Sequence, residues 1–281
     1  MKRLLLRYRI LLLLVAGLLG IFIGRTFLAT RYRLPMLDDL CTIIVVVGSS
    51  VLLVKRYRCL RKLDWAVAMA VGGAVGTGMR FATLFTPYPF LGIAQSNLEQ
   101  AFVRACCSAL AILGGTMVMR QGGPVQFRAA NGDWRRSGVS LLWGLGAGAP
   151  FAVLNVYALQ LTQGQGINWQ DPFAALLDAF QPGIVEEVIY RFAFLGMLWL
   201  ALRNSLPERA AMFSGLLALL VHNFVHFGDL FLQAPLVALG MGLVMAIVWG
   251  IPLTVLALRR DIDSAIAFHW IQDAARFLMG F

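Results

Sequence analysis

Seven side chains suited to acid–base or metal chemistry lie inside apolar runs of the C-terminal half. They are Glu186, Glu187 and Arg191 in IVEEVIYR, His222 and His226 in LLALLVHNFVHFGDL, and His269 and Asp273 in IAFHWIQDAARFL. All three histidines of the 281-residue chain are among them. Holding one such charge at mid-bilayer costs about 2.5 to 3.5 kcal/mol even on the lenient insertion scales, so several together need a use. A desolvated carboxylate beside imidazoles takes a proton from water, and an imidazole binds a metal or donates to an oxyanion. Those parts suit hydrolysis of an amide bond. They suit equally a proton relay in a transporter, and the plainest alternative is a set of ion pairs that holds a bundle together.

Helical spacing groups these residues. At about 100° per residue, Glu187 and Arg191 share a face, while Glu186 points to the adjacent flank beneath Tyr190. Pro182, after the QPG break, fits the first turn of this helix, where the dipole favours the glutamates. His222, His226 and Asp229 fall at i, i+4 and i+7 and predict one polar stripe; His269 and Asp273 repeat the i, i+4 spacing. Three helices thus offer one polar face each, and polar faces in lipid turn toward one another. Arg191 stands twelve residues before Arg203, about 18 Å along a helix, too deep to reach the interface. It needs a buried partner.

The elements that must carry these faces are set by composition. With 59% hydrophobic residues, 14% charged residues and a mean hydropathy of +0.76, water cannot fold the chain as one ordinary globule. Apolar runs at about 10–29, 36–54, 65–86, 98–119, 138–161, 183–202, 210–231, 234–258 and 262–281 predict an all-α polytopic bundle of eight or nine spans. The first run, after MKRLLLRYR, reads as an uncleaved signal anchor. A net charge of +10 suggests nucleic acid, but the positions of the cations argue against it. Seventeen of the 24 Lys and Arg fall in alternate connections, around residues 2–9, 55–62, 120–136, 203–209 and 259–260. That is the positive-inside pattern. It predicts a multi-pass protein of the plasma (inner) membrane with a cytoplasmic N-terminus and, for nine spans, a C-terminus outside.

Other features read as structural. Cys41, Cys59, Cys106 and Cys107 have neither zinc-knuckle nor disulfide spacing. The clusters VGGAVGTG (71–78) and GLGAGAP (144–150) predict close helix packing, since no GK[ST] follows either one. Isolated Arg80 and Arg104 read as snorkelling or locally paired side chains. The connection 120–137 divides N-terminal helices, 1–137, from a C-terminal bundle, 138–281, that carries the polar motifs.

EExxxR at Glu186, Glu187 and Arg191, a histidine on the next helix, and HxxxD from His269 to Asp273 together resemble the CPBP family of intramembrane proteases. That family comprises the type II CAAX prenyl endopeptidases and the bacteriocin-processing or Abi proteins. The resemblance covers about residues 172–281. It implies that Glu186 activates water, with Glu187 beside it and oriented by Arg191. The second-motif histidine and His269 would polarise the scissile carbonyl or bind a metal, and Asp273 would help hold the oxyanion or a ligand. Two mechanisms fit: a metal-free glutamate protease, or a metalloprotease whose ion, such as zinc, is held by some of Glu186, His222, His226 and His269. The second motif departs from the family's FxxxH, because Ala218 precedes His222 and His222 precedes His226. His226 is the favoured assignment and His222 the alternative. The implied substrate is a membrane-anchored peptide or protein reached through the lipid bilayer, with no nucleic acid involved. The rival readings are a proton-coupled transporter and a non-catalytic immunity or scaffold protein.

Overall fold

The computed structural model describes residues 12, 15–27, 37–85 and 90–281. The cations at 2–9, together with Arg31 and Arg33, lie outside these, as does part of the expected signal anchor. Among the described residues, nine helical rods follow the nine apolar runs. They are α1 (Val15–Phe27), α2 (Leu37–Arg56), α3 (Lys62–Phe81), α4 (Asn97–Arg120), α5 (Trp134–Gln163), α6 (181–202), α7 (Ala210–Val225), α8 (Pro235–Arg259) and α9 (Ile262–Leu278). The stretches Asp38–Cys59, Asn97–Arg120, Trp134–Gln163 and Pro235–Arg259 are long and apolar enough to cross a membrane, and α1 and α7 are shorter apolar helices. The protein is an all-α polytopic bundle.

Local chemistry sets the helix ends. Ser96 accepts from the Glu99 amide while Glu99 reaches back to the Ser96 amide, a capping box that starts α4. Asp133 and Asp261 cap α5 and α9 through the amides of Arg136 and Ser264. Gly164 ends α5 with φ of 65°, a left-handed backbone that costs glycine nothing. Asp178 precedes α6, and its Oδ2 accepts from the amides of Thr83, Leu84 and Phe85 at 3.0, 2.5 and 2.8 Å. One buried carboxylate therefore ties the end of α3 to the start of α6.

Side chains from the cation-rich connections meet at one end of the bundle. Arg56 donates to Gln121 Oε1 at 2.8 Å, Arg120 pairs with Asp64 at 2.7 Å, Arg203 donates to Gln121 O at 3.5 Å, and Arg128 pairs with Asp261 at 3.3 Å. At the opposite end, the amides of Asn168 and Gln170 donate to the carbonyls of Met279 and Leu278, joining the α5–α6 connection to the chain's C-terminus.

Both glycine clusters serve packing. Added Cβ atoms at Gly144 or Gly148 would collide with the backbone of α9 at Ser264 and Phe268, and at Gly72 with Ala105 O of α4. The largest core, from Val45 through Val188 to Phe268, draws on helices from both sides of the 120–137 connection. Its centre is α6, which packs against α4 on one side and α9 on the other.

Two elements differ from the sequence expectation. The first fourteen residues of α6, Gln181–Phe194, form a π-helix and only Leu195–Leu202 is α-helical. The predicted run 210–231 breaks at Val225: His226 is the C-cap, and Asp229 lies exposed on a separate short helix, Gly228–Gln233. The i, i+4, i+7 stripe therefore ends before Asp229. Arg25 of α1 accounts for the break, since its Nε donates to Phe224 O at 3.0 Å and Nη2 to Val225 O at 3.4 Å. A cation placed on the final carbonyls of a helix stabilises its terminus.

Candidate active site

Gly183, in the first turn of α6, lies so close to α9 that a Cβ there would meet Trp270 Cα at 2.8 Å. This approach brings the two glutamates to His269. In a π-helix each hydrogen bond closes over five residues, so the turn is wider and successive side chains diverge by less than the 100° or so of an α-helix. Adjacent Glu186 and Glu187 consequently both face His269, Glu187 at its Nδ1 and Glu186 at its Nε2. Glu187, fully buried, accepts on Oε1 from Arg191 Nη1 at 2.5 Å and from His269 Nδ1 at 2.8 Å. Arg191 is 1% exposed, so this pair supplies the buried partner that its depth requires.

Glu186 Oε2 is the convergence point of the three imidazoles. It accepts from His222 Nε2 at 2.7 Å, with His269 Nε2 at 3.8 Å and His226 Nε2 at 3.9 Å. His222 is buried, whereas the side chain of His226 is 40% exposed at the end of α7. His269 Nε2 stands 3.3 Å from Asp273 Oδ2 without a hydrogen bond, and Asp273 Oδ1 forms an ion pair with Arg276, its Nε 2.7 Å away. The structure thus places Glu186, Glu187, Arg191, His222, His226, His269 and Asp273 together, on α6, α7 and α9.

An outer layer comes from the N-terminal helices. The Tyr190 ring lies against His222, with centroids 4.5 Å apart, and its hydroxyl donates to Asp38 Oδ1 at 2.7 Å. Asp38 and Asp39 of α2 pair with Arg104 of α4 at 3.5 and 3.2 Å. Arg104 is therefore buried and partnered across the fold, not locally, and Arg80 is exposed over the Phe81 ring. The signal available in the sequence was the DD pair opening α2, two acids at the start of an apolar run.

One donor set has the chemistry of a metal site. The ligand atoms of Glu186, His222 and His226 all lie within 4.8 Å of one another. Tetrahedral zinc with bonds of about 2.0 to 2.1 Å separates its ligands by about 3.3 Å. The 3.4 Å between His222 Nε2 and His226 Nε2 fits that spacing, and the 2.7 Å from Glu186 to His222 would have to open. His269, named with these three by the sequence reading, stands outside the cluster, with Nδ1 held by Glu187.

No curated protein and no solved structure matches the chain significantly. Residues 168–275 match the family model described as Type II CAAX prenyl endopeptidase Rce1-like, a span that begins before α6 and closes just after Asp273. The matched segment carries all seven polar side chains of the site, and the model is that of the family that the three motifs resemble.

Proposed function

We propose that the protein is an intramembrane endopeptidase in which Glu186 is the general base for an attacking water. The observation that carries this reading is the convergence of three imidazoles on one carboxylate oxygen, Glu186 Oε2, in a chain whose matching family is proteolytic. His222 holds Glu186 through the 2.7 Å contact, and the Tyr190 ring fixes the plane of His222. Glu187 and Arg191 form the floor, and Glu187 keeps the His269 proton on Nδ1. Nε2 of His269 is thereby oriented toward Glu186 and Asp273. From there it can polarise a scissile carbonyl or pass a proton to the leaving amine. His226, the most exposed of the three imidazoles, faces the side from which a peptide reaches the site.

Geometry favours His222 over His226 as the second-motif histidine, the reverse of the preference drawn from sequence. The exposed C-cap position leaves His226 farther from Glu186. Where a metal is bound, Glu186, His222 and His226 would hold it, and it would supply a water acidic enough to ionise near neutral pH. The substrate class is a membrane-anchored peptide or protein tail, of which a prenylated one is a single case. The transporter and scaffold readings have no observation in their favour.

The test is comparative proteomics of membrane-protein termini in cells carrying the wild type or Glu186→Gln. New termini present with wild type and absent with the variant are expected. Identical termini with equal amounts of both proteins would refute proteolysis.

A further inference from the structure

The cationic end of the bundle holds a cleft that proteolysis does not use. It encloses about 650 Å³, within the ~300–1,000 Å³ of ordinary ligand clefts. Arg135 and Arg136 line it from the start of α5, Arg128 from the short helix Arg128–Asn131 before it, and Arg259 and Arg260 from the end of α8. Asp261, also on its wall, opens α9 eight residues before His269, about 12 Å along the helix. The cleft and the proteolytic site are therefore separate.

The cleft's two carboxylates are already engaged. Asp261 Oδ2 accepts from Ser140 Oγ at 2.6 Å and from Arg128 Nε at 3.3 Å, and its Oδ1 caps Ser264. Asp133 pairs with Arg136 at 3.4 Å. Three arginines remain. The side chains of Arg135 and Arg259 make no hydrogen bond or ion pair among the described residues, and Arg260 Nε is buried without a partner. The Arg260 guanidinium lies over the Trp143 ring at 5.1 Å, and Trp143 is itself 61% exposed, like Val139 and Leu142 on the same outward face of α5. The positive-inside rule asks only that cations occupy a connection. It does not ask that those of two connections converge on one cavity, leave their own acids satisfied, and lie beside an exposed tryptophan.

We infer that this cleft binds the phosphate of an anionic ligand, an anionic phospholipid headgroup or a soluble polyphosphate. Guanidinium forks match phosphate oxygens bidentately, and basic pockets between spanning helices on the cytoplasmic side are suited to lipid phosphates. The exposed Trp143 and Leu142 beside the cleft give acyl chains an apolar wall, which the soluble ligand would leave bare.

The experiment uses the full chain in phosphatidylcholine nanodiscs. Thermal unfolding is followed alone, with phosphatidic acid added to the bilayer, and with inorganic pyrophosphate added to the buffer; affinity is then measured for whichever ligand stabilises. Phosphatidic acid is expected to raise the melting temperature, and Arg135→Gln with Arg259→Gln to weaken its binding by roughly tenfold or more. Stabilisation by pyrophosphate alone, lost in the same variant, supports the cleft with the soluble ligand. Arg58→Gln with Lys62→Gln removes as much charge from another cationic connection and is expected to leave affinity unchanged. Should the double glutamine variant fail to fold, Arg135→Lys with Arg259→Lys keeps the charge without the fork and is expected to weaken binding measurably. Equal weakening by the Arg58 and Lys62 control, or stabilisation by neither ligand, overturns the inference.

Discussion

At the residue scale the site rests on one fully buried carboxylate with two cationic or polar donors. Glu187 is held by Arg191 and in turn holds His269, so removing the guanidinium leaves an uncompensated charge that is fully buried. Breaking a buried pair costs about 3 to 5 kcal/mol. Arg191→Met is therefore expected to lower the folded yield in membranes sharply, and Glu187→Gln with Arg191→Met to recover part of it. A double variant no better than the single, measured as detergent-resistant folded protein, would show that the pairing does not govern stability. The two α7 histidines separate by the same reasoning. His222 is buried on Glu186, so His222→Asn is expected to reduce cleavage about 10²- to 10³-fold, on the scale of a lost oxyanion-type donor. His226→Asn, at an exposed cap, is expected to cost less than tenfold. Equal collapse in both variants, with loss of bound metal by elemental analysis, would instead assign both imidazoles to an ion.

At the scale of elements, the π-helical turns of α6 and the close approach at Gly183 make two neighbouring glutamates face one imidazole, His269. A methyl at Gly183 meets backbone atoms of Trp270, which cannot swing aside as a flexible side chain can. Gly183→Ala is thus expected to destabilise the protein by about 1 to 3 kcal/mol and to lower cleavage, because α9 carries His269 away from Glu187 as it yields. Gly146→Ala is the control, since nothing lies within 4 Å of its added Cβ. Thermal unfolding and cleavage measured together would show whether the close approach matters; equal behaviour of the two variants would remove it from the account. Termination of α7 belongs to the same scale, because Arg25 of α1 on the last carbonyls sets where His226 leaves the helix.

At the scale of the whole molecule, the gathering of cations at one end gives the protein a direction. Starting from the cationic end, α7 reaches His222 and His226 in its last turns, and α6 meets Glu186 within two turns of its opposite end. The site therefore lies in the half of the bundle away from the cations, and from the positive-inside rule we propose that this half faces outward. A membrane-impermeant maleimide is expected to spare the exposed Cys59 in intact cells and to label it after lysis. Gln165→Cys, in the α5–α6 connection, is expected to be labelled from outside. The opposite pattern would reverse the orientation and place the cut on the cytoplasmic side.

Nine apolar runs, the alternation of cations and three polar helix faces were legible in the chain because each is a local pattern with a fixed period. The small-residue clusters at 71–78 and 144–150 were legible as packing seams for the same reason, and the need of Arg191 for a buried partner followed from depth alone. The π-helical form of α6 was not legible, since the spacing of Glu187 and Arg191 satisfies an α-helix equally well. Nor was the end of α7 before Asp229, which depends on an arginine 199 residues away from the carbonyl of Phe224. Only the tertiary structure brings Asp38 to Tyr190 and Tyr190 to His222, so that the N-terminal helices, apolar passengers in the sequence, form the outer wall of the site. Periodicity fixes which face of a helix is polar; which neighbour meets that face, and at what depth, is decided by packing across the whole chain.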